Sequence, residues 1–560
     1  MYLLKRLNKL PKLLFVILAF VFCLNFYLAT LDSQTIDEGA HLAAGYSYVT
    51  TGDYRLNPEH PALFKLLAGT AILPLNTKPA KELNGWAEAN QWPAGKDLIY
   101  NSRSSSRQIL LLARLPSILI TVTLVYAVFL LARRFGGEKV GLLAAGLFAL
   151  DPTLNGHGHL ITNDVLLALG SVAFLLGALN YWAKPTKKHL VLLALATLLV
   201  ISAKFSGLVL VPIAAIIVIV KLWKQKKRLA KHLLAAIFIL FFGVWMQYGF
   251  KVRSFDQDLV LSPPGDRLVE QASEFKASHP GLAWLYSLKV PAYPYIRGIA
   301  TLKLHNSDGH PSYLFGNRDR YGSLFYFPVA LSIKLPEVVI AGALASLCFV
   351  LLRRLGGKKE LRRNLVVLLS IAGLFIGLGI VSKINIGVRH IFAAWPFLYV
   401  ASALVFYRLH KARGGKYYVL LLFLMIPTII ATFRTPLAYQ NEVGRGIERI
   451  ANKPILIDSN RDWSQDLYRL NDYLNEHGAM VFGEALFNNT DMNDIFSGKE
   501  ICTLGYYDPE CWSGVAPPCL LAISDTALLT EDTKHYQWAL DSYDLIDRVG
   551  GSISIYRCRD

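Results

Sequence analysis

The chain has 560 residues, of which 53% are hydrophobic and only 18% charged, yet its net charge is +18. Soluble proteins average about 25% charged residues, so this balance excludes an ordinary soluble protein, and the apolar residues come in blocks of membrane-spanning length. A positive total also invites a nucleic-acid reading, but the cations sit in short connections between apolar blocks, which excludes a basic binding face.

In chain order, eleven apolar segments are long enough to cross or half-cross a bilayer: 13–31, 109–132, 140–150, 165–182, 190–201, 207–220, 233–250, 325–352, 365–381, 391–407 and 417–432. The basic stretch 5–12 leads into 13–31, which is longer than a signal h-region and has no small-residue cleavage site. We read it as a retained anchor. Six short connections (5–12, 133–139, 184–188, 221–231, 353–363, 408–416) hold 26 Lys and Arg but only two acids, Glu138 and Glu360. That asymmetry puts these connections and the N-terminus in the cytoplasm. The opposite connections, 32–108, 151–164, 251–324 and everything after 435, are then extracytoplasmic.

Residues 436–560 carry 20 acids against 10 Lys and Arg, a net of −10 that leaves +28 for residues 1–435. A β-type run at 454–457 precedes an expected helix at 463–477, with Asp462 as N-cap and Gly478 just past its end. Short apolar runs follow at 480–482, 519–523 and 552–556. The expected fold is therefore a polytopic α-helical membrane protein of about 11 spans, residues 1–435, with a small extracytoplasmic α/β domain, residues 436–560. Cys502, Cys511, Cys519 and Cys558 fall in that exported domain, where three pairings or free buried thiols are open alternatives; Cys23 and Cys348 lie in spans.

Ionisable groups at the membrane on the outer face are the leads to function. The first outer loop begins Thr35-Ile36-Asp37-Glu38-Gly39-Ala40-His41. Thr35 and Glu38 fit a capping box, which does not need Asp37; Asp37 and His41, four apart, share a helix face. A carboxylate there suits a general base toward a hydroxyl. Downstream, Asn57-Pro58-Glu59-His60-Pro61 presents an acid and an imidazole on a turn held by prolines, which suits a site and a helix entry equally. His157-x-His159 with Asp164 has metal-ligand chemistry, although Thr162 to Asp164 also reads as a helix cap. Lys204 stands in an apolar stretch, either snorkelling or facing an anion such as a lipid phosphate. Lys383 to His390, with Arg389, places positive charge on the side that the charge bias disfavours. His310-Pro311-Ser312-Tyr313, followed by Arg318, Asp319 and Arg320, mixes aromatics and cations suited to a sugar or headgroup. Three motifs fail. Asp256-x-Asp258 lies on the wrong side for nucleotide sugars. Asp458-x-Asn460-x-Asp462 has Trp463 and Arg469 where a calcium loop needs Gly and Glu, and no phosphate-cradling Gly-rich loop occurs.

Together these strings resemble the polyprenyl-phosphate-sugar-dependent glycosyltransferases of the GT-C class, and within it family 39, the protein O-mannosyltransferase and lipid A aminoarabinose transferase group. Asp37-Glu38 is similar to the family's first-loop acidic motif. Asn57-Pro58-Glu59-His60-Pro61 is similar to its Glu-Lys-Pro-Pro turn, with His60 and Ala62 departing from it. Thr162-Asn163-Asp164 resembles the second acidic position, and Lys204 a phosphate-facing lysine. His310 to Tyr313, Asn385 to His390 and Asp458 to Trp463 resemble strings of a bacterial branch. The resemblance implies an inverting displacement at the outer face of a bacterial-type plasma membrane. Asp37 would be general base, with Glu38, Glu59 and Asp164 orienting groups. Lys204, Arg389 and His60 would face the departing lipid phosphate, and His310 and His390 would contact substrate. The implied partners are a polyprenyl-phosphate sugar, an acceptor glycan, lipid or protein, and membrane lipids; no nucleic acid, metal or other cofactor is expected. Two other classes fit the same composition: a transporter or lipid flippase, and a membrane-anchored binding or assembly protein.

Overall fold

The computed structural model describes residues 11–257, 267–352, 359–413, 416–451, 453–503, 520–530 and 543–558. Among them, seven helices are long and apolar enough to cross a membrane: Lys12–Leu31, Ser106–Gly136, Asp164–Ala183, Phe205–Leu222, Lys226–Gln247, Lys359–Ile380 and Val388–Ala412. The chain is a multi-pass α-helical membrane protein. Several of the eleven expected segments take another form. Segments 140–150 and 190–201 are the helices Glu138–Ala149 and Lys187–Ala203, of 12 and 17 residues, short of the roughly 20 that a span needs. Segment 325–352 is broken into Tyr326–Lys334 and Glu337–Leu351, which meet at 118°. Pro336 lies at the break; it has no N–H to donate and disfavours helical backbone at Leu335, which is extended.

The chain divides into two compact bodies. One comprises residues 37–120 and 161–308. Its helix Ile36–Thr51 approaches two neighbours closely enough to require glycine. A Cβ on Gly45 would lie 1.9 Å from the Lys65 carbonyl oxygen in helix Ala62–Ala71. A Cβ on Gly95 would lie 2.4 Å from the backbone of Gly39. A two-stranded ribbon, β1 (Val252–Arg253) with β2 (Val290–Pro291), closes the long loop after Lys226–Gln247.

The other body comprises residues 121–160, 309–560 and those up to 36. It holds the hairpin of β3 (Ser312–Leu314) and β4 (Asn317–Asp319), and a five-stranded mixed sheet of order β6-β5-β7-β9-β8. These last strands are β5 (Val481–Ala485), β6 (Glu500–Thr503), β7 (Leu520–Ser524), β8 (Tyr543–Val549) and β9 (Ile553–Cys558). Leu470, Leu474, Phe482, Leu520 and Ile555 share one core, so the apolar runs expected at 480–482, 519–523 and 552–556 are its central strands. Cys502 is disulfide-bonded, while Cys23 and Cys348 are free thiols. Cys511 and Cys519, like Asp258 and residues 5–10, lie outside the described residues, as does the side chain of Cys558.

The helix expected at 463–477 is Leu467–Glu476, ending at Gly478 in the left-handed region. Asp462 does not cap it, because its carboxylate accepts the Thr526 N–H at 2.8 Å. Arg469 on that helix bridges Asp466 and Asp32, each at 2.7 Å, and so ties this helix to the end of helix Lys12–Leu31.

Burial pushes Asp462 up to about 7. The folded state then keeps a proton that the unfolded chain releases near the ordinary carboxylate value, about 3.9. This stabilisation is complete below that lower pKa and is lost as pH rises to the folded one. Asp462→Asn keeps an acceptor for Thr526 and removes the titration. Thermal unfolding in detergent should therefore show a midpoint that falls between pH 5 and pH 8 in the wild type and is flatter in the variant. Identical profiles would contradict this account of Asp462.

Candidate functional site

The first-loop acids divide by environment. Glu38 is 0% exposed, and its two oxygens take the Arg114 guanidinium at 2.9 and 2.7 Å, while Oε1 also accepts the Ile161 N–H at 3.0 Å. Arg114 itself is 0% exposed, so this is a buried bidentate pair inside one body, a structural duty beyond the capping expected of Glu38. Asp37, one residue earlier in the first turn of the same helix, is only half-buried.

Four residues after Asp37, His41 is buried and its ring stacks on His60 with centroids 5.1 Å apart. His60 and Glu59 come from the proline-flanked turn, whose Asn57 has φ +49. Lys65, fully buried on the following helix, clamps that turn. Its ammonium donates to the carbonyls of Asn57 at 2.5 Å and His60 at 2.8 Å, and to Tyr48 Oη at 3.0 Å.

The helix Tyr293–Asp308 lies against the same turn because Gly298 lacks a side chain there: a Cβ would stand 2.3 Å from the Pro58 carbonyl oxygen. Two helical turns on, on the same face, His305 Nδ1 meets Glu59 Oε2 at 3.2 Å. That bond raises the His305 pKa, with Asp37 adding to the rise from a distance. His305 was missed in the sequence; its spacing of seven from Gly298 was the available signal, legible only once the glycine contact is known.

Also in this body, the Lys204 ammonium donates to Asp164 Oδ1 at 2.7 Å, and Asp164 is 2% exposed. Lys204 therefore does not snorkel; it is held by the acid that opens helix Asp164–Ala183. An ammonium carries three donors, and this contact uses one.

The remaining expected residues lie in the second body. Arg389 is buried, with its guanidinium 4.1 Å above the Trp463 ring and Nε donating to Ser459 at 3.1 Å. The Val388 N–H donates to Asn460 Oδ1, and a Cβ on Gly387 would meet Ser459 Oγ at 2.0 Å. The strings Asn385 to His390 and Asp458 to Trp463 are thus docked on one another. His390 is half-buried on the same turn, and His310 Nδ1 donates to the Pro311 carbonyl at 3.0 Å. A cavity of about 270 Å³ opens beside them, with Tyr313, Arg318, Arg320, Asn385 and Asp458 among its walls.

The metal candidate dissolves. Both ring nitrogens of His159 are engaged, by Asp32 at 2.9 Å and by the Asn155 carbonyl at 3.0 Å, and Asp164 is taken by Lys204. Among the described residues no three His, Cys, Asp or Glu side chains form a metal-holding group.

Residues 109–247 match the sequence profile of the dolichyl-phosphate-mannose-protein mannosyltransferase family. Through this stretch, which includes Arg114, Asp164 and Lys204 and excludes the first loop, the chain is similar to glycosyltransferases that use lipid-linked sugars. Among solved structures it is similar to ArnT from Cupriavidus metallidurans in the apo state, at 13% identity over 97% of this chain and 97% of that one, with TM-score 0.45. The same protein bound to undecaprenyl phosphate gives 13% identity, 97% of each chain and TM-score 0.31. The oligosaccharyltransferase AglB from Archaeoglobus fulgidus, in complex with an inhibitory peptide and a dolichol-phosphate, gives 12% identity, 98% of this chain and 74% of that one, and TM-score 0.41. Likenesses of this grade transfer no activity. No curated protein sequence matches the chain.

Proposed function

We propose that the protein transfers a sugar from a polyprenyl-phosphate carrier to an acceptor hydroxyl at the extracytoplasmic membrane face, with the N-terminus inside and the C-terminal sheet outside. The observation that carries the reading is the mannosyltransferase profile match. The split among the acids supports Asp37 as the base: Glu38 and Asp164 are held by Arg114 and Lys204, whereas Asp37 is half-buried, one helical turn before His41 and within electrostatic reach of His305.

In the proposed step the acceptor oxygen attacks the anomeric carbon and gives its proton to Asp37. The bond from that carbon to the phosphate oxygen breaks with inversion, releasing polyprenyl monophosphate. Glu59 and His305 orient Asp37 and the acceptor. Lys204 and His60 meet the charge that grows on the departing phosphate. Arg389, His390 and His310 are assigned, by resemblance, to contacts with lipid phosphate or acceptor. The reading gives no metal ion or cofactor a part in the step.

A transporter remains the second reading. The 118° break at Leu335-Pro336 is the kind of interrupted helix that transporters use, and Lys334 beside it is 1% exposed. The Lys334 ammonium, however, donates to the carbonyls of Leu437 and Asn460 at 2.8 and 2.6 Å, which gives it a structural duty.

Mass spectrometry of lipid-linked sugars and envelope glycans in a strain lacking the gene tests the proposal. An accumulated lipid-linked sugar together with a missing glycan modification is expected; unchanged profiles of both would refute it.

A further inference from the structure

The segment Pro280–Ser287 is an eight-residue 3-10 helix in the loop between Lys226–Gln247 and Tyr293–Asp308. One side of it packs: Tyr286 meets Phe255 edge-on at 5.2 Å and Phe275 at 6.2 Å. Leu282, Trp284 and Leu285 in it, and Leu288 just past its end, are exposed, with Trp284 58% exposed. Four large exposed apolar side chains within seven residues would be a liability in water.

The β1–β2 ribbon and the bond from the Ala292 N–H to the Lys251 carbonyl, 3.0 Å, hold this segment at the last turn of Lys226–Gln247. That helix enters with Lys226, Lys227, Arg228 and Lys231, so the segment stands at its opposite, non-basic end. Met246, Phe250 and Val252, around that end, are exposed too. Exposed Lys289 follows directly. An amphipathic tryptophan, leucines and a flanking lysine are what the boundary between acyl chains and headgroup phosphates accepts.

We propose that the segment 280–288 inserts Leu282, Trp284, Leu285 and Leu288 into the phospholipid leaflet at the C-terminal end of helix Lys226–Gln247. The insertion anchors the loop that leads into Tyr293–Asp308, the helix whose Gly298 and His305 rest on the Pro58–Glu59 turn. The proposal stands independently of the transferase reading and concerns a lipid surface, not a substrate.

The test places the full-length protein in nanodiscs of phosphatidylcholine, either plain or dibrominated near the upper acyl chain. Subtracting the emission of Trp284→Phe from that of the wild type isolates Trp284 from the other nine tryptophans of the ten in the chain. Loss of this difference emission in brominated relative to plain lipid is the expected result. Equal emission in the two lipids would overturn the proposal, whether water, another protein or a second copy of this chain covers the patch.

Discussion

Replacing Arg114 by alanine should lower the stability of the folded protein by about 3–5 kcal/mol, because it strands the Glu38 carboxylate at a fully buried position. The size follows from asymmetry. A buried pair contributes little net over an apolar substitute, whereas breaking it leaves one ion with neither water nor a counter-charge. Glu38 keeps the Ile161 N–H as a donor but loses its bidentate counter-charge. Glu38→Gln should destabilise for the converse reason, because it removes the negative charge that the buried guanidinium faces. The double variant Glu38→Gln with Arg114→Met should recover part of the loss. Thermal unfolding in detergent reads all three, and an Arg114→Ala protein that melts with the wild type would show the pair to be dispensable.

The second large effect is on rate. Asp37→Asn should slow sugar transfer by roughly 10²–10⁴-fold, the usual worth of a positioned general base. Expression and melting temperature should stay unchanged, since Asp37 is half-buried and the neighbouring pair of Glu38 with Arg114 is untouched. A structural role for Asp37 would reverse the pattern, lowering melting temperature in step with activity.

Much of the architecture was legible in the sequence because apolar blocks of spanning length have few alternatives to helices in a bilayer. The strands β5, β7 and β9 were legible for a related reason, as short apolar runs bounded by polar turns. The errors were local. The start of the helix at Leu467 depended on where the Asp462 carboxylate goes, and its partner, Thr526, is 64 residues away. The break within 325–352 was marked by Pro336, which an uninterrupted hydropathy reading passes over.

In the site, residue types were visible but their pairings were not. Glu38 reaches across 76 residues to Arg114, and Glu59 across 246 to His305. Such distances carry no periodic signal, so Arg114, His305 and Lys65 read as ordinary cations in apolar or loop sequence. Asp164 and Lys204 were singled out separately and proved to be partners. The docking of Asn385 to His390 on Asp458 to Trp463 is the strongest case of separately noticed strings meeting in space.

The central claim is cleavage of a lipid-linked sugar that depends on Asp37. The direct measurement is release of polyprenyl monophosphate, followed by mass spectrometry, from proteoliposomes holding the purified protein, lipid-linked sugars extracted from its native membranes and acceptor from the same source. The wild type should release the lipid phosphate with matching glycosylation of acceptor, with or without a metal chelator, and Asp37→Asn should release almost none. Movement of intact lipid-linked sugar across the sealed membrane without cleavage, or undiminished release by Asp37→Asn, would contradict the account.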